Sequence, residues 1–284
     1  MIYIPPNCYT LDKATAKQQT RLGIQGYGGT GKTWAALTFP NPIVLNLDKG
    51  LKAHQGRKDV VEIPFFDSKF CKYLHDMKDK LAEWLETEAQ KIEAEQTLIV
   101  DGCTTLQNAY HAWFEINKTS FLTKAGKIDD FAEWQVKKKY FGQIMEGLKS
   151  LKCDVILLAH ESERADKPTT VGQPGLYTGK IRPLLTGAFG DEILGYFTDW
   201  FRQKACEKPD VSQITEATLS NWKMTKLEFQ AMLNTFSGHT LYYWTTESDD
   251  VFDAKASSLV DFPKFMPANF SSFNKYVRKI QTTN

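Results

Sequence analysis

The chain has 284 residues, with 35 lysines and arginines against 34 aspartates and glutamates, for a formal net charge of +1. That length buries a sizeable α/β core, and the balanced charge excludes a global basic field drawing the whole molecule to nucleic acid or to a membrane. The five cysteines (Cys8, Cys71, Cys103, Cys153, Cys206) are scattered and never spaced C-x-x-C, which argues against zinc or a disulfide framework and for a reducing compartment. No apolar run approaches the ~20 residues of a membrane span. The first residues, Met-Ile-Tyr-Ile-Pro-Pro, lack the order of a signal peptide, and a cytoplasmic protein without membrane contact is expected.

Residues 1–20 are polar and proline-bearing, a lead-in strand or arm. Arg21 to Gln25 is a short apolar run, and Gly26-Tyr27-Gly28-Gly29-Thr30-Gly31-Lys32-Thr33 then reads G-x-x-x-x-G-K-T without a mismatch. That pattern is the phosphate-binding P-loop: its glycines let successive N–H groups turn inward around a phosphate. Lys32 is placed to reach the β- and γ-phosphates, and the Thr33 hydroxyl to ligate Mg²⁺. The nucleotide-binding set therefore runs from Gly26 through Trp34, with helix-compatible sequence continuing to Phe39 before Pro40.

Ile43 to Leu47 is a continuous apolar strand of the buried parallel kind, ending in Asp48-Lys-Gly50. Val60 to Pro64 is another short strand candidate, and Tyr73 to Gln96 keeps helical apolar spacing, predicting one long amphipathic helix. Thr97 to Val100 closes on Asp101, the Walker B form in which a strand-end carboxylate holds the Mg²⁺ shell; the alternative is an Asp capping the helix Leu106–Ile116. Residues 117–129 read as a loop with Lys118, Lys124 and Lys127, and Asp130 opens a second long helix with Phe131, Trp134, Phe141, Ile144 and Leu148 on one face. Lys137-Lys-Lys139 inside it reads as a solvated face. Asp154 to Ala159 is the next buried strand, delivering His160 at its end, and residues 161–182 show no regular pattern, so a long loop, functional or disordered, is expected. Phe189 to Phe201 reads as a turn and a strand. Residues 203–239 are less readable apart from a capping box at Thr225–Glu228. Leu241 to Thr246 is a strong strand, and Asn269 to Ile280 a final helix.

Strands alternating with helices predict a mostly parallel twisted sheet with helices on both faces. The P-loop, Asp48, Asp101 and His160 all follow strand ends, the edge at which such sheets bind ligands. A single domain over 1–284 is the economical reading, with a core of about 20–275 and an elaboration at about 203–239.

Gly102 stands after Asp101, where enzymes of the AAA+ type usually carry a catalytic glutamate. A carboxylate ending the strand after the P-loop helix, here Asp48, instead resembles the RecA-like core. More closely, Gly26–Thr33, Leu45-Asn-Leu-Asp48-Lys-Gly-Leu, Thr97–Leu106, Leu157-Leu-Ala-His160-Glu, Tyr242-Tyr-Trp-Thr-Thr and Asp253-Ala-Lys255 resemble phage-encoded RecA-like nucleotide-binding proteins, recombination-associated ATPases of the single-strand annealing or strand-exchange type. Asp48 is shorter than the glutamate usual there.

The resemblance implies a Mg²⁺-dependent, slow ATPase acting on single-stranded DNA. Asp48 would polarise the attacking water, His160 sense the γ-phosphate, and Lys255 act in trans on ATP held between subunits of a homo-oligomer. Loops 117–129 and 161–182 would face the strand, with Lys118, Lys124, Lys127, Arg164, Lys167, Lys180 and Arg182 on phosphates and Phe121 and Tyr177 on bases. A single-strand-binding or recombination protein is the implied partner. The alternative is a nucleotide-dependent switch acting on a protein partner without DNA.

Overall fold

The computed structural model describes residues 19–65, 71–165, 177–185, 189–249, 252, 254–256 and 260–281. Its frame is a nine-stranded sheet. The strand order is β3 (Val61–Ile63), β2 (Pro42–Asn46), β4 (Thr97–Asp101), β5 (Asp154–Ala165), β1 (Arg21–Gly26), β7 (Asp199–Glu207), β8 (Thr240–Thr245) and β9 (Phe265–Pro267), with β6 (Tyr177–Pro183) paired to β5 off this path. The strands from β3 to β7 pair in parallel; β8 returns antiparallel to β7, and β9 antiparallel to β8.

Because side chains alternate across a strand, the apolar runs divide residue by residue between two cores. Ile43, Leu45, Leu98, Val100, Val155 and Leu157 face α2 (Met77–Glu86), α3 (Cys103–Asn117) and α4 (Asp130–Ser150). Val44, Ile99, Ile156, Leu158, Leu22 and Ile24 face α1 (Lys32–Ala36) and the C-terminal helix α8 (Phe270–Gln281). The α8 helix packs on the turn that follows α1 through Phe39, whose ring lies 5.0 Å from Phe270 and 5.7 Å from Phe273. The expected α/β layering, a mostly parallel sheet covered on both faces, is therefore what the chain forms.

Arg21 joins β1 to the far end of α4. Its guanidinium donates to the Cys153 carbonyl at 2.7 Å, to Lys149 at 3.1 Å and to Leu151, so a cation caps the helix's carbonyl end.

Four expectations are corrected. The helix foreseen over 73–96 is only α2, because the Thr87 hydroxyl bonds back to the Glu83 carbonyl and Gln90 donates to the Leu85 carbonyl, closing the helix early. Ala89 and Ile92 are then buried from a short 3-10 turn and the extended residue that follows it. On α4, Phe131 and Trp134 are 70% and 41% exposed, and the core face begins at Tyr140. The stretch 161–182 is not a plain loop: β5 runs on to Ala165 and pairs antiparallel with β6, while residues 166–176, including Lys167, lie outside the described residues. The elaboration starts later than 203, since Gln203 to Glu207 belong to β7, paired with β8.

What does form the elaboration is α6 (Glu216–Trp222) and α7 (Lys226–Thr235), packed on β8 and β9 around Trp222 and Phe229. The expected capping box opens α7: the Glu228 amide donates to Thr225 Oγ1, and the Thr225 amide to the Glu228 carboxylate. A short helix, α5 (Phe189–Glu192), precedes β7.

Candidate active site

The fully buried β1 ends at Gly26 and α1 begins at Lys32, so the loop between them is held at both ends. The Lys32 ammonium folds into the loop, donating to the Gly26 and Tyr27 carbonyls at 2.8 and 2.9 Å. Burial lowers its pKa, against the pull of Asp101, Glu161 and Asp48. Gly31 has φ 80°, a left-handed conformation that favours glycine, and a Cβ there would stand 3.0 Å from the Tyr242 ring. The loop is braced from β7: Gln203 Nε2 donates to the Thr30 carbonyl at 2.7 Å, and Gln203 Oε1 accepts the Trp244 indole N–H at 3.0 Å.

Four polar groups meet at the carboxyl edge of the sheet. Thr33 Oγ1 donates to Asp101 Oδ2 at 3.0 Å, joining the P-loop to the end of β4. Asp101 is nearly buried, and burial raises its pKa; the Thr33 hydrogen bond lowers it and the Asp48 charge raises it again. Asp48, just past β2, takes a hydrogen bond from the Thr105 hydroxyl on the first turn of α3. Gly102 makes room for it: at φ 122°, a Cβ on residue 102 would fall 2.3 Å from Asp48 Oδ1. The position at which a glutamate was absent from the sequence is thus filled in space by the Asp48 carboxylate.

His160, at the end of the parallel part of β5, presents Nε2 3.8 Å from Asp48 Oδ2. Burial, then the Lys32 charge, lowers its pKa although Asp48 raises it, so the fold favours the neutral imidazole in this contact. The next residue, Glu161, is locked: Arg202 of β7 holds it with Nε at 3.0 and 3.2 Å and a terminal nitrogen at 2.9 Å, in a pair almost closed to solvent. Since β1 lies between β5 and β7, this pair ties the sheet together across the start of the P-loop.

A pocket of about 290 Å³ runs along this edge, lined by Gly29, Gly31, Lys32, Thr33, Trp34, Asp48, Asp101 and His160. Its donor set fits a Mg²⁺–nucleotide: one hydroxyl and one desolvated carboxylate, both hard oxygen donors, stand beside a lysine and a glycine loop. Mg²⁺ ordinarily takes only one or two protein oxygens and completes its shell from phosphate and water.

Of the residues expected from sequence, the structure brings together the P-loop, Asp48, Asp101 and His160. Lys255, expected to act in trans on a neighbouring subunit's nucleotide, stands away from this chain's own edge: its backbone pairs with Trp200, and its ammonium donates to the Leu194 carbonyl at 3.2 Å. Asp253 beside it lies outside the described residues. Thr105, Gln203 and Arg202 were not anticipated. The apolar run Trp200-Phe201 was the available sign that a core strand continued into Arg202 and Gln203.

The AAA domain family matches residues 18–198, ending one residue before β7. No curated protein matches the chain. Among solved structures, the chain is similar to the pCW3 conjugation coupling protein TcpA, solved in its monomer form with ATPγS, at 12% identity and a TM-score of 0.31. That alignment covers 93% of this chain and 65% of the coupling protein. Among the described residues no helix is long and apolar enough to cross a membrane. The family match spans well over half of the sequence and contains the P-loop, Asp48, Asp101 and His160 on one sheet edge: this chain belongs to the AAA domain family.

Proposed function

We propose that ATP is hydrolysed at this edge with Asp48 as the water-activating carboxylate, in a RecA-like manner, and that the work is done on single-stranded DNA. The observation that carries the first part is the placing of two carboxylates, on different strand ends, in one pocket with Lys32: Asp101 bonded to Thr33, and Asp48 held apart by Thr105 and Gly102. Lys32 leaves the loop carbonyls for the phosphates. Thr33 and Asp101 would hold Mg²⁺, which when bound neutralises charge on the β- and γ-phosphate oxygens. Asp48 accepts a proton from water as the water oxygen bonds to the γ-phosphorus. The bond from that phosphorus to the bridging oxygen breaks, and ADP and phosphate leave. His160 donates a hydrogen bond toward the γ-phosphate, and the β5–β6 pair beginning beside it carries the change onward. Glu161 is unsuited as the base because Arg202 occupies both its oxygens.

Support for DNA is the exposed stretch 117–129 with Lys118, Lys124 and Lys127, next to exposed Phe131 and Trp134. Such a mixture of cations and ring faces suits a single strand.

The test separates binding from turnover. Lys32→Ala is expected to abolish hydrolysis in a folded protein. Asp48→Asn should keep Mg²⁺–ATP affinity and lose turnover by roughly 100-fold or more, the scale of a lost general base. Asp101→Asn should chiefly raise the Mg²⁺ concentration needed. Normal hydrolysis by Asp48→Asn would remove it from the mechanism.

A further inference from the structure

The pocket continues past the phosphate loop onto an aromatic surface. Trp34, the first residue after the P-loop threonine, keeps 40% of its surface exposed and lines the same pocket as Lys32 and Asp101. Its ring lies 6.1 Å from that of Tyr242 on β8, tilted by 33°. Tyr242 in turn packs against the backbone of Gly31, in the space a Cβ would need. Loop, Trp34 and Tyr242 thus form one surface.

The sheet order fixes which part of a ligand meets it. Asp101 and His160 belong to β4 and β5 and Asp48 follows β2, all on one side of β1, whereas Tyr242 belongs to β8 on the other side. A triphosphate threaded through the loop with its γ end toward those three residues leaves its sugar and base on the β7–β8 side. We infer that Trp34, together with Tyr242, is the stacking platform for the nucleotide's base. This rests on the nucleotide reading of the pocket given above.

Tyr242 explains why a tryptophan serves here. It neighbours both the indole and Gly31, so it limits the room in which the Trp34 ring can move. Stacking reads the face of a ring, not its edge, and is tolerant of base identity.

The experiment compares ATP with inorganic tripolyphosphate, which carries the phosphates without the base, by calorimetry on the full chain. Trp34→Ala should weaken ATP about tenfold, the usual scale of one lost base–aromatic stack. It should leave tripolyphosphate affinity unchanged, and Trp34→Phe should restore most of the loss. Equal weakening of both ligands would make Trp34 a support of the loop and overturn the inference, as would unchanged ATP affinity. If the unaltered protein binds neither ligand, the P-loop reading itself fails, a result distinct from either of these.

Discussion

At the scale of single residues, the site depends on a side chain that is missing. Gly102 leaves a gap beside β4 that the Asp48 carboxylate enters, and Thr105 donates to it there. Gly102→Ala puts a methyl group into that carboxylate and a side chain at φ 122°, so turnover should fall while ATP affinity stays. The strained backbone should also cost about 1–3 kcal/mol of stability. Thr105→Val should lower kcat with little change in KM, and Thr105→Ser should retain it, because the hydroxyl and not the methyl orients Asp48. Equal losses in Val and Ser variants would mean that Thr105 only packs. His160 adds a pH signature. Its pKa is depressed in the fold, by burial first and Lys32 second, so between that value and about 6.5 the unfolded chain binds the extra proton. Stability is therefore complete above pH 6.5 and declines as pH falls through the folded value. Melting temperatures at pH 7.5 and 5.5 should differ less for His160→Gln than for the unaltered chain; identical differences would argue against the shift. Partial exposure of His160 keeps the effect small.

At the scale of elements, the strands that build the site were legible because each carries a local signal: a glycine loop after β1, and apolar runs ending in Asp48, Asp101 and His160. What was illegible is what reaches these residues from elsewhere in the chain. Gln203 braces Thr30 from 173 residues away, and Arg202 closes on Glu161 from 41 residues away. No local pattern marks such partners, and the alternation that would have shown β7 is blurred by its mixed residues Arg202-Gln203-Lys204. The helix foreseen over 73–96 failed for the opposite reason: the apolar spacing persisted while Thr87 and Gln90 ended the backbone helix. The β5–β7 tie is open to a double-mutant cycle. Removing one partner of a buried pair typically costs about 3–5 kcal/mol, whereas replacing both by apolar groups is often near neutral. Glu161→Leu and Arg202→Leu should each lower the melting temperature more than the double variant does; strictly additive losses would show that the pair is not coupled.

At the scale of the whole molecule, a net charge of +1 decides what kind of nucleic-acid contact is open to it. A protein without a global positive field gathers a strand only where cations are locally concentrated, and so releases few counterions on binding. The stretch 117–129 offers Lys118, Lys124 and Lys127, but Lys118 already pairs with Glu115 at 3.1 Å, and Asp129 and Asp130 stand nearby. On the proposed single-strand reading, aromatic contact from Phe131 and Trp134 would supply part of the affinity, with Lys138 lying 5.1 Å over the Trp134 ring. Two kinds of variant separate the contributions. Replacing Lys118, Lys124 and Lys127 by alanine should flatten the dependence of log affinity on log salt, by about 0.7 for each phosphate that is no longer neutralised. Phe131→Ala with Trp134→Ala should weaken binding at every salt concentration and leave the slope unchanged, since stacking releases no counterions. All of these residues are exposed, so the fold is expected to survive the changes. Binding of labelled oligonucleotides between roughly 50 and 200 mM salt, an interval over which counterion release changes affinity steeply, reads both effects. If the unaltered protein shows no binding at the low-salt end, or if neither set of variants changes it, the single-strand reading fails. The exposed Ile116, Leu122 and Ile128 beside the lysines would then point to a protein as the partner that ATP hydrolysis controls.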